Sequence, residues 1–156
     1  MKTLRCLSLI AGFVVVTSSA YAHHSVAAEF DPDKMVMAKG TLTKVDWINP
    51  HTYFTMDVKQ PDGKVVSMEL ESAAPQALRR AGISGRDALK IGSEYTIFYH
   101  PARNGDASRA LLAVFTLADG RMIGASAAES FEHACKLALE AGVAKPGQCT
   151  DQKKPE

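Results

Sequence analysis

Apolar and polar residues alternate along much of the chain between residues 36 and 123, which is the pattern of half-buried β-strands. The segment from residue 51 to 58 alternates clearly, with Phe54, Met56 and Val58 on one face. The predicted strands are Val36–Ile48, His51–Val58, Val65–Glu71, Tyr95–His100 and Ala110–Leu117, with a short Met122–Ile123 segment after them.

Three details of this pattern predict the shape, the position or the exposed face of individual strands. The apolar parity of the first strand changes between Leu42 and Val45, which predicts a β-bulge or a sharp bend. The fifth strand is apolar on both parities, which predicts a central position. On the third strand, Glu69 and Glu71 fall on the polar parity, so we expect both carboxylates to face solvent.

Two segments have the periodicity of helices. Ala74–Ala81 has Pro75 near its start and Gly82 just past its end, the usual asymmetry of a short helix. Ala127–Ala141 carries an apolar stripe that includes Cys135.

Three strands, a helical crossover and two further strands predict a mainly β fold: a small five-stranded OB-like barrel with a C-terminal helix. An open antiparallel sheet with one packed helix is the alternative. We expect the barrel domain to cover residues 23–124 and a helical extension to cover residues 125–156. Barrels of this kind bind many ligand classes, so the fold does not assign a function.

Residues 1–22 have the features of a secretory signal peptide. Lys2 and Arg5 precede the apolar run Leu7–Val16, and Ala20-Tyr21-Ala22 has the small residues of a cleavage site. The apolar run is shorter than the roughly 18 residues that a membrane span needs. The sequence therefore predicts a protein that is periplasmic or secreted and has no transmembrane segment.

Length and charge narrow the classes of partner. Cleavage after residue 22 leaves 134 residues, enough for one small domain. It also removes Lys2 and Arg5, which changes the formal net charge from +1 to −1. A nearly neutral chain gives no electrostatic reason to expect a nucleic acid or an anionic membrane as partner.

The number and positions of the cysteines are consistent with an exported protein. Cys6 lies within the predicted signal peptide, which leaves Cys135 and Cys149 as a pair in an oxidising compartment. We expect a disulfide that closes a loop of about 15 residues and stabilises the fold by about 3 kcal/mol. Two thiols that bind metal or do redox chemistry are the rival interpretation, although no CxxC spacing is present.

Cleavage after Ala22 makes His23 the first residue of the mature chain. Its α-amine and imidazole could chelate one metal ion, and His24 supplies a weaker candidate donor beside it. Three nitrogen donors favour copper, with zinc or nickel less favoured. Cleavage after Ala20 would instead place a histidine third, which also suits Cu(II) or Ni(II).

His51 is the best remote partner for that chelate. By parity it lies away from the core residues, although bonding to a nearby backbone group is an equally good interpretation. His100 ends a strand and could lie at either end of the barrel. His133 is expected to be a solvated residue of the C-terminal helix.

Several motifs together resemble a family of small exported bacterial proteins that is classed as a domain of unknown function. The resemblance covers roughly His23–Gly124 and implies an exported β-rich domain whose activity is not established. It adds weight to the terminal histidines and to His51, whereas His100 and the cysteine extension lie outside the pattern. Val26 and Ile83 stand where the pattern has an aromatic residue and a tryptophan. The motifs are His23-His24-Ser25, Ala28–Asp31, Asn49-Pro50-His51, Leu78–Gly82 and Leu89–Gly92.

The sequence thus supports two hypotheses of different classes. The first is an exported metal-binding protein, with copper held by His23, His51 and His24, that binds or delivers the ion rather than catalysing a reaction. The second is a metal-free binding module for a saccharide, a peptide or another small envelope ligand. A hydrolase is disfavoured because the sequence displays no nucleophile–base pair. The pattern does not define an oligomeric state.

Overall fold

A computed structural model describes residues 26–83, 88–117, 119–126 and 128–149. The predicted signal peptide, His23 and His24 lie outside the described residues. In chain order the elements are α1 (Val26–Glu29), β1 (Val36–Trp47), β2 (Thr52–Lys59), β3 (Val65–Glu71), α2 (Pro75–Arg80), β4 (Glu94–Pro101), β5 (Arg109–Thr116), β6 (Met122–Gly124) and α3 (Ala128–Glu140).

The first three strands form an antiparallel meander around the turn at residues 61–63. Thr55 pairs with Glu69 and Tyr53 with Glu71, so β2 and β3 keep one register along their length. The register between β1 and β2 shifts between Leu42 and Lys44. This irregularity confirms the bulge that the parity change predicts.

The sheet closes on itself. β1 pairs with β4, β4 pairs with β5, and the end of β5 pairs in parallel with the end of β3. With α2 between β3 and β4, this is the connectivity of an OB-like barrel. The predicted fold class is therefore confirmed, and the open-sheet alternative is wrong.

The inward faces of the strands fill the barrel. Leu42, Phe54, Met56, Leu70 and Phe115 are fully buried and belong to one contiguous cluster. The phenyl rings of Phe54 and Phe115 lie 5.7 Å apart between centroids. The alternation of β2 and β3 directs these residues inward, as the sequence predicts.

A second apolar cluster lies outside the barrel. Phe98, Val114 and Met122 form a surface on which α3 packs Phe131 and Ala138. Burial on both sides explains why β5 is apolar on both parities, and its pairing with β3, β4 and β6 confirms its central position.

The predicted disulfide is present. Cys135 of α3 and Cys149 are joined, with their Cα atoms 5.7 Å apart. The bridge ties the chain after α3 back onto that helix. Within the described residues, no helix combines the length and apolar character that a membrane span requires.

Candidate functional site: a cavity lined by three histidines

A cavity of about 610 Å³ lies where the ends of β2, β3, β4 and β5 meet α1 and α3. Phe30, Pro32 and Leu111 give it apolar walls. The polar residues that line it include His51, Glu71, His100, Ser126, Ser130 and His133. A volume of this size is typical of sites for small molecules.

His51 and Glu71 form a contact at the edge of this cavity. The Nδ1 nitrogen of His51 is hydrogen-bonded to Oε1 of Glu71. The carboxylate is 2 % exposed, whereas the imidazole is about one quarter exposed. Because the ring meets Glu71 through Nδ1, any coordination of a metal by His51 would use Nε2.

Glu71 is the main correction to the sequence analysis, which expects it to face solvent. The outer face of β3 is exposed at Ser67 and Glu69 but becomes a wall of the cavity at Glu71. Oε2 of Glu71 is buried and has no hydrogen-bond partner among the described residues. A buried carboxylate of this kind favours a cationic or hydrogen-bond-donating ligand.

The hairpin register could have revealed this pair. A turn centred on Asp62 places Glu71 opposite Tyr53. His51 lies two residues from Tyr53 on the same face, so His51 and Glu71 are diagonal neighbours. The turn and the parity are both readable in the sequence, and together they predict this contact.

The pKa of Tyr53 reflects the negative charge on the outer face of β2 and β3. Burial raises the pKa of its phenol, and the negative charges of Glu71 and then Glu69 raise that pKa further. The same field would favour a positively charged group in the cavity.

His100 lies in the same cavity as His51, which decides the question that the sequence leaves open. It is 4 % exposed. Its Nδ1 lies 2.7 Å from the carbonyl oxygen of Lys34, and its Nε2 lies 3.0 Å from Oγ of Ser130. A carbonyl only accepts hydrogen bonds, so Nδ1 donates its hydrogen there. In the neutral ring Nε2 then accepts the hydroxyl hydrogen of Ser130.

His133 lies one helical turn after Ser130 and also lines the cavity. It is exposed, in keeping with the expectation of a solvated helix residue, yet it adds a third imidazole to the rim. Ser130 was not predicted, because its partner His100 lies 30 residues earlier in the chain, on β4. Helical periodicity shows which face of α3 is apolar but not where its first turn lies on the barrel.

The described residues hold no group of three or more His, Cys, Asp or Glu side chains that could bind a metal ion. The expected metal site depends on His23 and His24, which lie outside the described residues. Val26, the first described residue, lines the cavity together with His51. His24 and Ser25 separate His23 from Val26. The three residue steps from Val26 back to His23 therefore span at most about 11 Å.

Comparison with known proteins places the chain in a family. The model of a family of unknown function, DUF6152, matches residues 11–111. The chain belongs to this family. No curated protein and no solved structure matches it. The match covers the DUF6152 barrel from β1 to the first part of β5 and includes His51, Glu71 and His100, whereas Ser130 and His133 lie beyond it.

Proposed function

We propose that the mature protein binds a copper ion at the mouth of the cavity, with the His23 amine and imidazole and the His51 imidazole as donors. The contact between His51 and Glu71 carries this proposal. A carboxylate that holds the Nδ1 side of an imidazole is the usual partner of a metal-binding histidine, because it fixes the ring and raises the basicity of Nε2.

The position of the N-terminal segment supports the same proposal. Val26 lines the cavity, and three residues are enough for the new terminus to approach it. His24, beside the chelating residue, is a weaker candidate donor. Nitrogen donors of this kind favour copper over harder ions, with zinc and nickel as weaker competitors. The role that fits is binding or delivery in the periplasm or outside the cell.

The test uses protein exported through its own signal, with the N-terminus checked by intact mass. Cu(II), Cu(I) and Zn(II) are titrated against wild type, His23→Ala and His51→Ala. We expect both substitutions to weaken copper binding at least tenfold. His133→Ala is the matched control, since it removes an imidazole from the same cavity without removing a proposed ligand, and it should bind as wild type does.

Two further variants sharpen the result. Glu71→Gln keeps the size of the side chain but removes its charge, and we expect a 10- to 100-fold loss of affinity. Protein acetylated on the α-amine of His23 is the second form: it loses that donor without gaining a histidine in third position, and its tight site should be lost. Unchanged copper affinity in His51→Ala would overturn the proposal.

The cavity itself favours a second candidate, a metal-free binding module for a small organic ligand. Its apolar walls include Phe30 and Leu111, and Glu71 selects against anions. Native mass spectrometry of protein purified from its own compartment, with and without a metal chelator, separates the candidates. A retained organic mass that survives chelation and is lost in Leu111→Trp supports the binding module.

A further inference from the structure

We infer that Ser130 and His100 form a nucleophile–base pair that hydrolyses small carboxylic esters in the cavity. This activity is separate from the proposed copper site. It starts from the hydrogen bond between Oγ of Ser130 and Nε2 of His100, at 3.0 Å. Within that distance a serine hydroxyl can pass its proton to an imidazole.

The tautomer of His100, with its hydrogen on Nδ1, is the one that this chemistry needs. The carbonyl of Lys34 fixes the hydrogen on Nδ1, at 2.7 Å, so the lone pair of Nε2 points to the serine hydroxyl. The imidazole is buried, which keeps water from competing for Nε2. A base held in one tautomer by a third group is the arrangement of serine hydrolases.

Other features of the cavity provide access for a substrate and a hydrogen-bond donor for the oxyanion. Ser130 and His100 both line the cavity, so a substrate held there can reach them. Ser126 lines it as well, and its buried hydroxyl oxygen has no hydrogen-bond partner among the described residues. We assign Ser126 to donate a hydrogen bond to the oxyanion of the reaction.

The reaction proceeds in two balanced halves. Oγ of Ser130 attacks the ester carbonyl carbon as its proton passes to Nε2 of His100. The C–O bond to the leaving alcohol then breaks, and that oxygen takes the proton from Nε2. Water attacks the resulting acyl-serine and gives one proton to Nε2. The acid leaves as the bond to Oγ breaks, and Oγ recovers the proton.

The cavity also defines the substrate class. Its apolar walls suit an acyl chain, and the negative charge of Glu71 disfavours phosphate or sulfate esters. The Lys34 carbonyl stabilises an imidazolium less than a carboxylate would. Esters, whose alcohols leave more readily than amines, are therefore the expected substrates rather than peptides.

The experiment uses the full exported chain in the presence of a metal chelator, which removes any hydrolysis by bound copper. The protein is incubated with a fluorophosphonate probe and, separately, with p-nitrophenyl butyrate and p-nitrophenyl phosphate. We expect one probe adduct per chain, mapped to Ser130 by peptide mass spectrometry. The butyrate ester, but not the phosphate ester, should be hydrolysed.

Three variants decide between catalysis and a merely structural contact. Ser130→Ala should lose the adduct, and His100→Gln should slow labelling at least 100-fold while circular dichroism confirms that it folds. Ser67→Ala, on the exposed outer face of β3, is the control and should be labelled as wild type is.

The inference is overturned if Ser130 remains unlabelled in the folded wild-type protein, or if His100→Gln is labelled at the wild-type rate. Copper binding is measured separately in His51→Ala and His23→Ala. Failure of the copper site therefore leaves this result untouched, and the reverse also holds.

Discussion

Glu71 and Tyr53 face each other across β2 and β3, and the electrostatics of the cavity edge depend on this pair. Burial of Tyr53 disfavours its phenolate, and the Glu71 carboxylate adds to that effect more than Glu69 does. A carboxylate placed in this way acts on every group that enters the cavity. It repels anions and attracts the positive charge of a metal ion or an amine.

A titration tests this arrangement directly. Glu71→Gln should lower the pKa of Tyr53, since it removes a negative charge, while burial keeps that pKa above its ordinary value. Glu69→Gln is the matched control and should lower the pKa by less. The measurement is the ¹³Cζ chemical shift of Tyr53 against pH. An equal or larger shift in Glu69→Gln would contradict the geometry at Glu71.

Tyr99 makes stability depend on pH in the alkaline range. Burial raises the pKa of its phenol above the ordinary value of about 10. The folded state therefore holds this proton more tightly than the unfolded state does. The stabilisation is complete below about pH 10 and is lost as the pH rises through the higher pKa of the folded state.

We thus expect the free energy of unfolding in urea to fall as the pH rises above about 10. Tyr99→Phe has no proton to lose and should show a shallower fall over the same range. Tyr95→Phe provides a comparison with another buried tyrosine of β4. If the slopes of wild type and Tyr99→Phe coincide, the phenol of Tyr99 is not the group responsible.

At the scale of elements, β1 depends on a close approach to β2. A Cβ atom at Gly40 would lie 2.9 Å from Cγ2 of Val58 and 3.3 Å from the backbone oxygen of Asp57. Gly40 pairs with Val58 on one side and with Tyr95 on the other, so β1 cannot move away from either neighbour without cost. Glycine at this position thus allows β1 and β2 to approach each other closely.

Gly40→Ala should lower the free energy of unfolding by about 1–3 kcal/mol, the usual cost of overpacking. Urea unfolding followed by circular dichroism measures the change. Lys39→Ala, at the exposed neighbouring position, should change stability by less than about 0.5 kcal/mol. A Gly40→Ala protein as stable as wild type would show that β1 and β2 can separate to admit a methyl group.

The elements were largely predictable because each follows from a local signal. The parity change at Leu42–Val45 predicts the bulge, and the two apolar parities of β5 predict burial on both faces. The cavity was harder to predict from the sequence, since it combines β3, β4 and α3, which are distant in sequence. The helix α1 was not among the predicted elements; it is a single helical turn whose first residues line the cavity. Such a turn is too short to leave a periodic signal.

At the scale of the whole molecule, α3 completes two surfaces at once. It covers Phe98, Val114 and Met122 on the outside of the barrel, and it contributes Ser130 and His133 to the cavity. The family match ends at residue 111, before α3 begins. In this chain the barrel has an apolar outer surface, formed by residues of β4, β5 and β6, that α3 covers.

Removal of α3 should expose that surface. A chain that stops after Ser126 leaves Phe98, Val114 and Met122 uncovered, and adjoining exposed apolar residues promote association. We expect increased fluorescence of the dye ANS and oligomers in size-exclusion chromatography. A chain that stops after Cys149 keeps α3 and its disulfide and should remain like wild type in both measurements. If the shorter chain were monomeric and did not bind the dye, the second cluster would contribute nothing to solubility, and α3 would be needed only for Ser130 and His133.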